Sequence, residues 1–215
     1  MSYSKGEWFF MAIHCVNPNT LSSQAVALFN VTSNSGKSLI DSFSSSIESL
    51  KLHWKGSDAV ANITDLANVY NAVAELVKKL QKIIVTVNNE EVLPLQKHIV
   101  ASGGTCTVGQ ELAETLTGIN TTIAVPTETV ESWTDNAILT DAETFSSFPT
   151  TFEKFVSELN EAKNTLLNNW LEGANRADVV SIFENFNNNV GEYKTQVTTV
   201  RNNLNTVAEN KKQLL

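Results

Sequence analysis

Four residues carry side chains that could bind a metal ion or form a disulfide: His14, Cys15, His98 and Cys106. One pair precedes and the other follows a region of helical periodicity, so a hairpin there would bring both pairs to the same end. Imidazole and thiolate groups are ligands that zinc prefers. The sequence has neither a C-x-x-C nor an H-x-x-x-H pair, and Cys106 falls in a segment predicted to be flexible. We therefore expect no metal, rank a Cys15–Cys106 disulfide above zinc, and take two free thiols as the default.

Other motifs do not indicate catalysis. The peptide Ser102-Gly103-Gly104-Thr105 is small and polar. No predicted strand precedes it and no lysine follows it, whereas a phosphate-binding loop requires both. The sequence also contains no nucleophile motif and no H-E-x-x-H motif. Acidic residues such as Glu48, Asp58 and Asp65 fit the solvated faces of helices. We predict a protein without enzymatic activity and without a cofactor.

Composition excludes several classes of partner. The 215 residues include 15 Lys and Arg against 23 Asp and Glu, a net charge of −8, and the isoelectric point is about 4.9. Because such a chain does not attract a phosphate backbone or an anionic lipid surface, nucleic acid is not an expected partner. With 42% apolar residues but only 9 Gly and 4 Pro, the chain has material for a core and few turns. Long helices are predicted.

The first residues do not have the features of a targeting signal. The apolar segment from Trp8 to Ile13 is short and follows a single lysine, Lys5. It lacks the length and the cleavage site of a secretory signal peptide. No apolar run reaches the roughly 18 residues of a membrane span. We expect neither a cleavable signal peptide nor a stable membrane span, and Met11 is an alternative translation start.

Two long stretches at the start of the chain have apolar residues every three or four positions, the period of an amphipathic helix. The first predicted helix runs from Pro18 to Leu52 with Asn17 as its N-cap, and the polar patch Thr32–Gly36 predicts a kink. The second helix runs from about Ser57 to about Leu93, and Pro94 predicts its end.

Two further helices and an internal repeat follow. The third helix is predicted from Pro149 to Trp170 and the fourth from about Ala174 to the end, after a connector with one short helix at 110–116. Placing Gly56 over Gly173 aligns eight apolar positions without a gap, which predicts a degenerate tandem repeat of one helix-turn-helix unit. The aligned positions are Ile63, Leu66, Val69, Val73, Leu76, Leu80, Ile83 and Val87 over Val180, Phe183, Phe186, Val190, Tyr193, Val197, Val200 and Leu204.

The first unit carries a Trp-x-Gly turn, Trp54-Lys55-Gly56, between its two helices, and Val16-Asn17-Pro18 leads into it. With these features, residues 16–97, and to a lesser degree 149–215, resemble the WXG100 or ESAT-6-like superfamily. Its members are small helical hairpins that act as substrates and effector modules of type VII secretion systems in Gram-positive bacteria. The resemblance implies that Trp54, Gly56, Trp170 and Gly173 are the motif residues, with a role in packing or in recognition by a partner.

The resemblance also implies an architecture and a function. Family members pair two hairpins into an antiparallel four-helix bundle, so this chain is expected to be an all-α four-helix bundle made of two tandem hairpins, 1–98 and 149–215, joined by the connector 99–148. A monomeric pseudo-dimer is the expected state. The implied function is that of a secreted virulence substrate, adaptor or effector without a cleavable signal peptide. Its implied partner is a WXG-like protein or a secretion ATPase.

Two departures from the family pattern keep other functions open. The second turn, Trp170-Leu171-Glu172-Gly173, has one residue more than the first, and neither Tyr70 nor Tyr193 is followed four residues later by the acid of the family's secretion signal. One alternative is a pore-forming or membrane-interacting protein that inserts residues 8–13 or Thr121–Val125. The other is a cytoplasmic structural helical bundle.

Overall fold

A computed structural model describes residues 13–134 and 136–212. The protein is an all-α helical bundle, as predicted. Its helices are α1 (Pro18–Val31), α2 (Lys37–His53), α3 (Ser57–Thr86), α4 (Leu93–Ala101), α5 (Ala137–Ser146), α6 (Phe148–Asn169) and α7 (Arg176–Lys212). Very short strands lie beside them: β1 (His14–Cys15), β2 (Trp54–Lys55), β3 (Ser132–Trp133) and β4 (Trp170–Glu172).

The first helical region begins as predicted and changes its winding at the weak patch. The Asn17 side chain accepts hydrogen bonds from the backbone N–H groups of Asn19 and Thr20, which confirms it as the N-cap of α1. The patch Thr32–Gly36 is a π-helical turn between α1 and α2. The buried hydroxyl of Thr32 donates to the carbonyl of Phe29 at 2.7 Å, so a side chain competes with the backbone for that carbonyl.

The predicted end of the second helical region at Pro94 is wrong. A π-helical segment, Val87–Val92, connects α3 to α4, which contains Pro94 in its first turn. Proline is tolerated there because the first N–H groups of a helix have no partner within it. α4 ends at Ala101; Gly103, two residues later, has a φ of +82°, and the N–H of Gly104 donates to the carbonyl of Ile99.

The prediction of a short helix at 110–116 is also wrong. Residues 110–116 are irregular, and amide side chains of α3 and of the π-helical segment bind their backbone. Gln81 Oε1 accepts from the N–H groups of Thr115 and Leu116, and Asn89 binds both backbone groups of Leu112. These bonds replace the ones that a helix would have supplied. The connector instead contains α5, which lies further along.

The buried positions of the long helices drift from the predicted seam. Val77 and Ile84 are buried where the pattern indicated Leu76 and Ile83, and Val179 is buried in place of Val180. The predicted seam advances by about 3.4 residues per step, whereas a straight helix has 3.6 residues per turn, so the contact stripe moves around the helix.

The chain forms two compact units, and each contains segments of both hairpins. The first unit comprises Met1–Gly36, of which residues 13–36 are described, with Val77–Gly118 and Val156–Asn185. It holds α1, α4, parts of α3, α6 and α7, and the antiparallel pair β1–β4.

The second unit comprises Lys37–Leu76, Ile119–Phe155 and Phe186–Leu215, of which residues up to 212 are described. It holds α2, α5, the remaining parts of α3, α6 and α7, and the pair β2–β3. Phe43 is at the centre of its aromatic core, with ring centroids 4.8–6.3 Å from those of four neighbours. The neighbours are Tyr70, Phe145, Phe148 and Phe152.

Candidate functional site

The first tryptophan turn is closed by a strand from the connector. Trp54 is only 1% exposed, and its backbone pairs antiparallel with that of Trp133, which lies in β3. The N–H of Thr134 donates to the carbonyl of His53 at 2.8 Å and extends the pairing. A tryptophan that follows the last residue of α2 is thereby held by backbone bonds as well as by apolar burial.

A buried carboxylate supports this turn from α5. Asp141 is 4% exposed, and its two oxygens accept from Ser49 Oγ at 3.1 Å and contact His53 Nδ1 at 2.8 Å. Both partners lie in the last turns of α2, directly before Trp54. A buried carboxylate requires such partners, so Asp141 fixes α5 against the end of α2.

A glycine and a glutamate complete the first turn. Gly56 has a φ of +111°, a backbone conformation that residues other than glycine rarely adopt. The Glu131 carboxylate lies against it and accepts hydrogen bonds from Ser57 Oγ at 3.1 Å and from the N–H of Asp58 at 3.3 Å. A carboxylate beside the first turn of a helix also interacts favourably with the helix dipole. Glu131 therefore stabilises the start of α3.

The second turn has the same plan but different residues. Trp170 is 0% exposed, and its strand β4 pairs antiparallel with β1. The side-chain amide of Asn169 binds both backbone groups of Asn17. Its oxygen accepts from the N–H of Asn17 and its nitrogen donates to the carbonyl of Asn17, each at 2.8 Å. The residue that caps α1 is thus fastened to the last residue of α6.

A glutamate again lies beside the turn glycine. Glu91 Oε1 accepts from both the backbone N–H and the side-chain amide of Asn175, at 3.1 and 2.6 Å, just before α7 begins. A Cβ on Gly173 would lie 2.4 Å from Glu91 Oε2 and 2.3 Å from Trp170 Nε1. Gly56 is required because its φ disfavours a residue with a Cβ, whereas Gly173 is required because a Cβ there would collide with the side chains of Trp170 and Glu91.

Three side chains at the turns have environments that the sequence did not predict. Trp170 Nε1 is buried without a hydrogen-bond partner among the described residues. Glu131 and Glu91 have no signature in the sequence, because each lies more than 70 positions from the helix start that it binds.

Exposed apolar residues flank both buried tryptophans. Beside the first turn are Leu52, 73% exposed, Val130, 77% exposed, and Trp133, 42% exposed. Beside the second turn are Leu171, which follows Trp170 in sequence, and Val16, whose N–H donates to the carbonyl of Asn169 at 2.9 Å. The burial of Trp54 and Trp170 favours a packing role for them, and a partner at either turn would meet these flanking residues first.

The cysteines are the part of the candidate metal set that the structure brings together. Both are free thiols, and both belong to the first compact unit. Burial raises the pKa of the Cys15 thiol, and the neighbouring Cys106 raises it further. No group of three or more potential ligands for a metal ion occurs within residues 13–134 and 136–212, and the side chain of His14 lies outside the described part. A higher pKa leaves less reactive thiolate at neutral pH.

Of the two candidate membrane-inserting segments, Thr121–Val125 lies within the described residues. Most of residues 8–13 lies outside the described residues. In the other segment, Thr121–Val125, Ile123 is 7% exposed and its N–H donates to Asn71 Oδ1 at 3.3 Å. No helix in the described part of the chain combines the length and the apolar character needed to cross a bilayer.

The two turns define a class of protein by fold alone: an all-α bundle of two hairpins with a buried tryptophan at each turn. The chain matches no protein-family model, and no curated protein or solved structure is significantly similar to it.

Proposed function

We propose that the protein is a non-enzymatic substrate, adaptor or effector module of a type VII-like secretion system, acting through contacts between helices. One observation carries the proposal. In each compact unit, the strand that leads into one hairpin pairs with the tryptophan turn of the other: β1 with β4, and β3 with β2. Each pairing therefore joins one hairpin to the other within the chain, which supports the interpretation of two fused hairpins.

The exposed apolar residues at the turns support a protein partner. Leu52 and Trp133 flank the first turn without being part of its buried core. Apolar residues exposed together at one place on a soluble surface often mark a contact with another protein. The proposed partner is a WXG-like protein or a secretion ATPase that binds at these turns.

Export is the direct test of this function. We expect the tagged full-length chain to appear in the medium of a bacterium that has a type VII system, and to stay in the cells of a matched strain without the secretion ATPase. The Leu52→Ser variant should be exported less while its thermal unfolding changes little, because Leu52 is 73% exposed. Equal amounts in the media of both strains, with a cytoplasmic marker excluding lysis, or retention in both strains would contradict the proposal.

The pseudo-dimer makes a second prediction. A protease site inserted between Thr117 and Gly118, which are exposed and where a Cβ on the glycine would meet nothing within 4 Å, allows the folded chain to be cut. The two fragments should remain one species with the mass of the uncut monomer, because β1 and β2 come from one fragment and their partners from the other.

Analytical ultracentrifugation of the uncut and cut protein measures this result, and the fragments should separate only in denaturant. The uncut chain with the same insertion is the matched control. A stable dimer of the intact chain, or fragments that separate under native conditions, would show that each hairpin seeks its partner on another chain.

A further inference from the structure

Both cysteines of the chain lie near the start of α1. Cys106 Sγ donates to Asn19 Oδ1 at 2.9 Å, and the N–H of Thr107 donates to the same oxygen at 3.0 Å. Asn19 is in the first turn of α1, four residues after Cys15. The connector therefore returns to the part of the chain that carries the other thiol. The sequence contains no third cysteine that could compete for either of them.

Hydrogen bonds hold both cysteine segments in place. The strand that contains Cys15 pairs with β4. On the connector side, the Gln96 side chain accepts from the N–H of Gly109 at 2.9 Å and donates to the carbonyl of Pro18 at 3.0 Å. One side chain of α4 thus joins the connector, just after Cys106, to the first residue of α1. The fold itself gives the two thiols a high effective concentration for each other.

The electrostatics of Cys15 agree with this placement. Burial raises the pKa of its thiol, and the charge of the neighbouring Cys106 raises that pKa further. A like charge has this effect on a thiol only at short range. Both cysteines are free and partly exposed, so a small reagent in solution can reach them.

From these contacts we propose that Cys15 and Cys106 form a disulfide site that fastens the connector to the start of α1, with a low-molecular-weight disulfide as the oxidant. The Cys106 thiolate attacks one sulfur of the oxidant, whose S–S bond breaks, and the leaving thiolate takes the proton that Cys106 lost. Cys15 then loses its proton and attacks Cys106 Sγ in the mixed disulfide, which releases the second thiol. The two cysteines together lose two electrons and two protons, and these convert the oxidant into two thiols.

The order of attack and the effect of the bond follow from the surroundings of the two thiols. Cys106 attacks first, because the raised pKa of Cys15 leaves less thiolate there. Cys106 can give up its hydrogen bond to Asn19 and move, since the residues around it are irregular. The bond closes residues 15–106, which include α1, α2, α3 and α4, into one covalent loop. A cross-link over a long loop restricts the unfolded chain and stabilises the fold.

Oxidised glutathione, added to the folded full-length protein, tests the site. We expect a monomer without free thiols whose mass is lower by two hydrogen atoms, and a peptide map without reductant that contains Cys15 linked to Cys106. Its Tm should lie about 5–15 °C above that of the reduced protein. Dithiothreitol should reverse both changes.

Cys15→Ser and Cys106→Ser are the matched controls. Each keeps one thiol, so each should stop at the mixed disulfide with glutathione and keep the same Tm with and without the oxidant. Cys15→Ser should react faster, because it retains the attacking thiol. Two glutathiones on the unsubstituted chain, bonds only between chains, unreacted thiols, a lowered Tm or faster reaction of Cys106→Ser would overturn the proposal. The site does not depend on export, so its failure and the failure of the secretion proposal are distinguishable.

Discussion

Trp54→Ala is expected to lower the free energy of unfolding by about 3–5 kcal/mol, the usual cost of removing a fully buried aromatic side chain from a core. The indole is 1% exposed and lies where α2 ends and the chain turns into α3. Alanine leaves a cavity that the turn cannot close, because β3 holds the backbone on one side through the Trp54–Trp133 pairing. Urea unfolding followed by circular dichroism measures the loss.

Trp133→Ala is the matched control, since it removes the same side chain from the paired strand at a position that is 42% exposed. Its loss of stability should be less than half that of Trp54→Ala, because much of its surface already meets water. Equal losses would contradict the packing role. If Trp54→Ala kept its stability but lost export, the role of Trp54 would be direct recognition by a partner and not packing.

Alanine at either turn glycine should destabilise the protein, for a different reason at each. Gly56→Ala should cost about 1–3 kcal/mol, since a φ of +111° is strained for any residue with a Cβ. Gly173→Ala should cost about 1–3 kcal/mol through overpacking against the buried indole of Trp170, which lies 2.3 Å from the added atom. Thermal and urea unfolding of the full-length variants measure both effects.

Two further variants separate backbone strain from crowding. Gly191→Ala is the control, because Gly191 lies in α7 with nothing within 4 Å of an added Cβ, and alanine there should stabilise the helix by about 0.5–1 kcal/mol. Adding Glu131→Ala to Gly56→Ala removes the contacting carboxylate but not the strain, so it should not restore stability. Restored stability would show that crowding, and not φ, makes Gly56 necessary.

The sequence by itself determined the helices and their turns. The spacing of apolar residues such as Leu21, Ile47 and Phe183 follows the helical period, and all three are buried. Asn17 and Gly56 were also readable, because capping and positive φ depend on the residue and its immediate neighbours. Helical periodicity, capping and positive φ depend on residues close together in sequence, so they can be predicted from the sequence alone.

Only the tertiary structure decided how the helices continue and what closes the turns. Pro94 was compatible with a helix end or with a first turn, and the π-helical segment before it selected the latter. Residues 110–116 were compatible with a helix, but Gln81 binds their backbone from 34 positions away. Glu131 and Glu91 at the turns likewise depend on which segments the fold brings together. A backbone group accepts whichever partner is nearest in space, and distance in space between remote segments is set by packing rather than by local sequence.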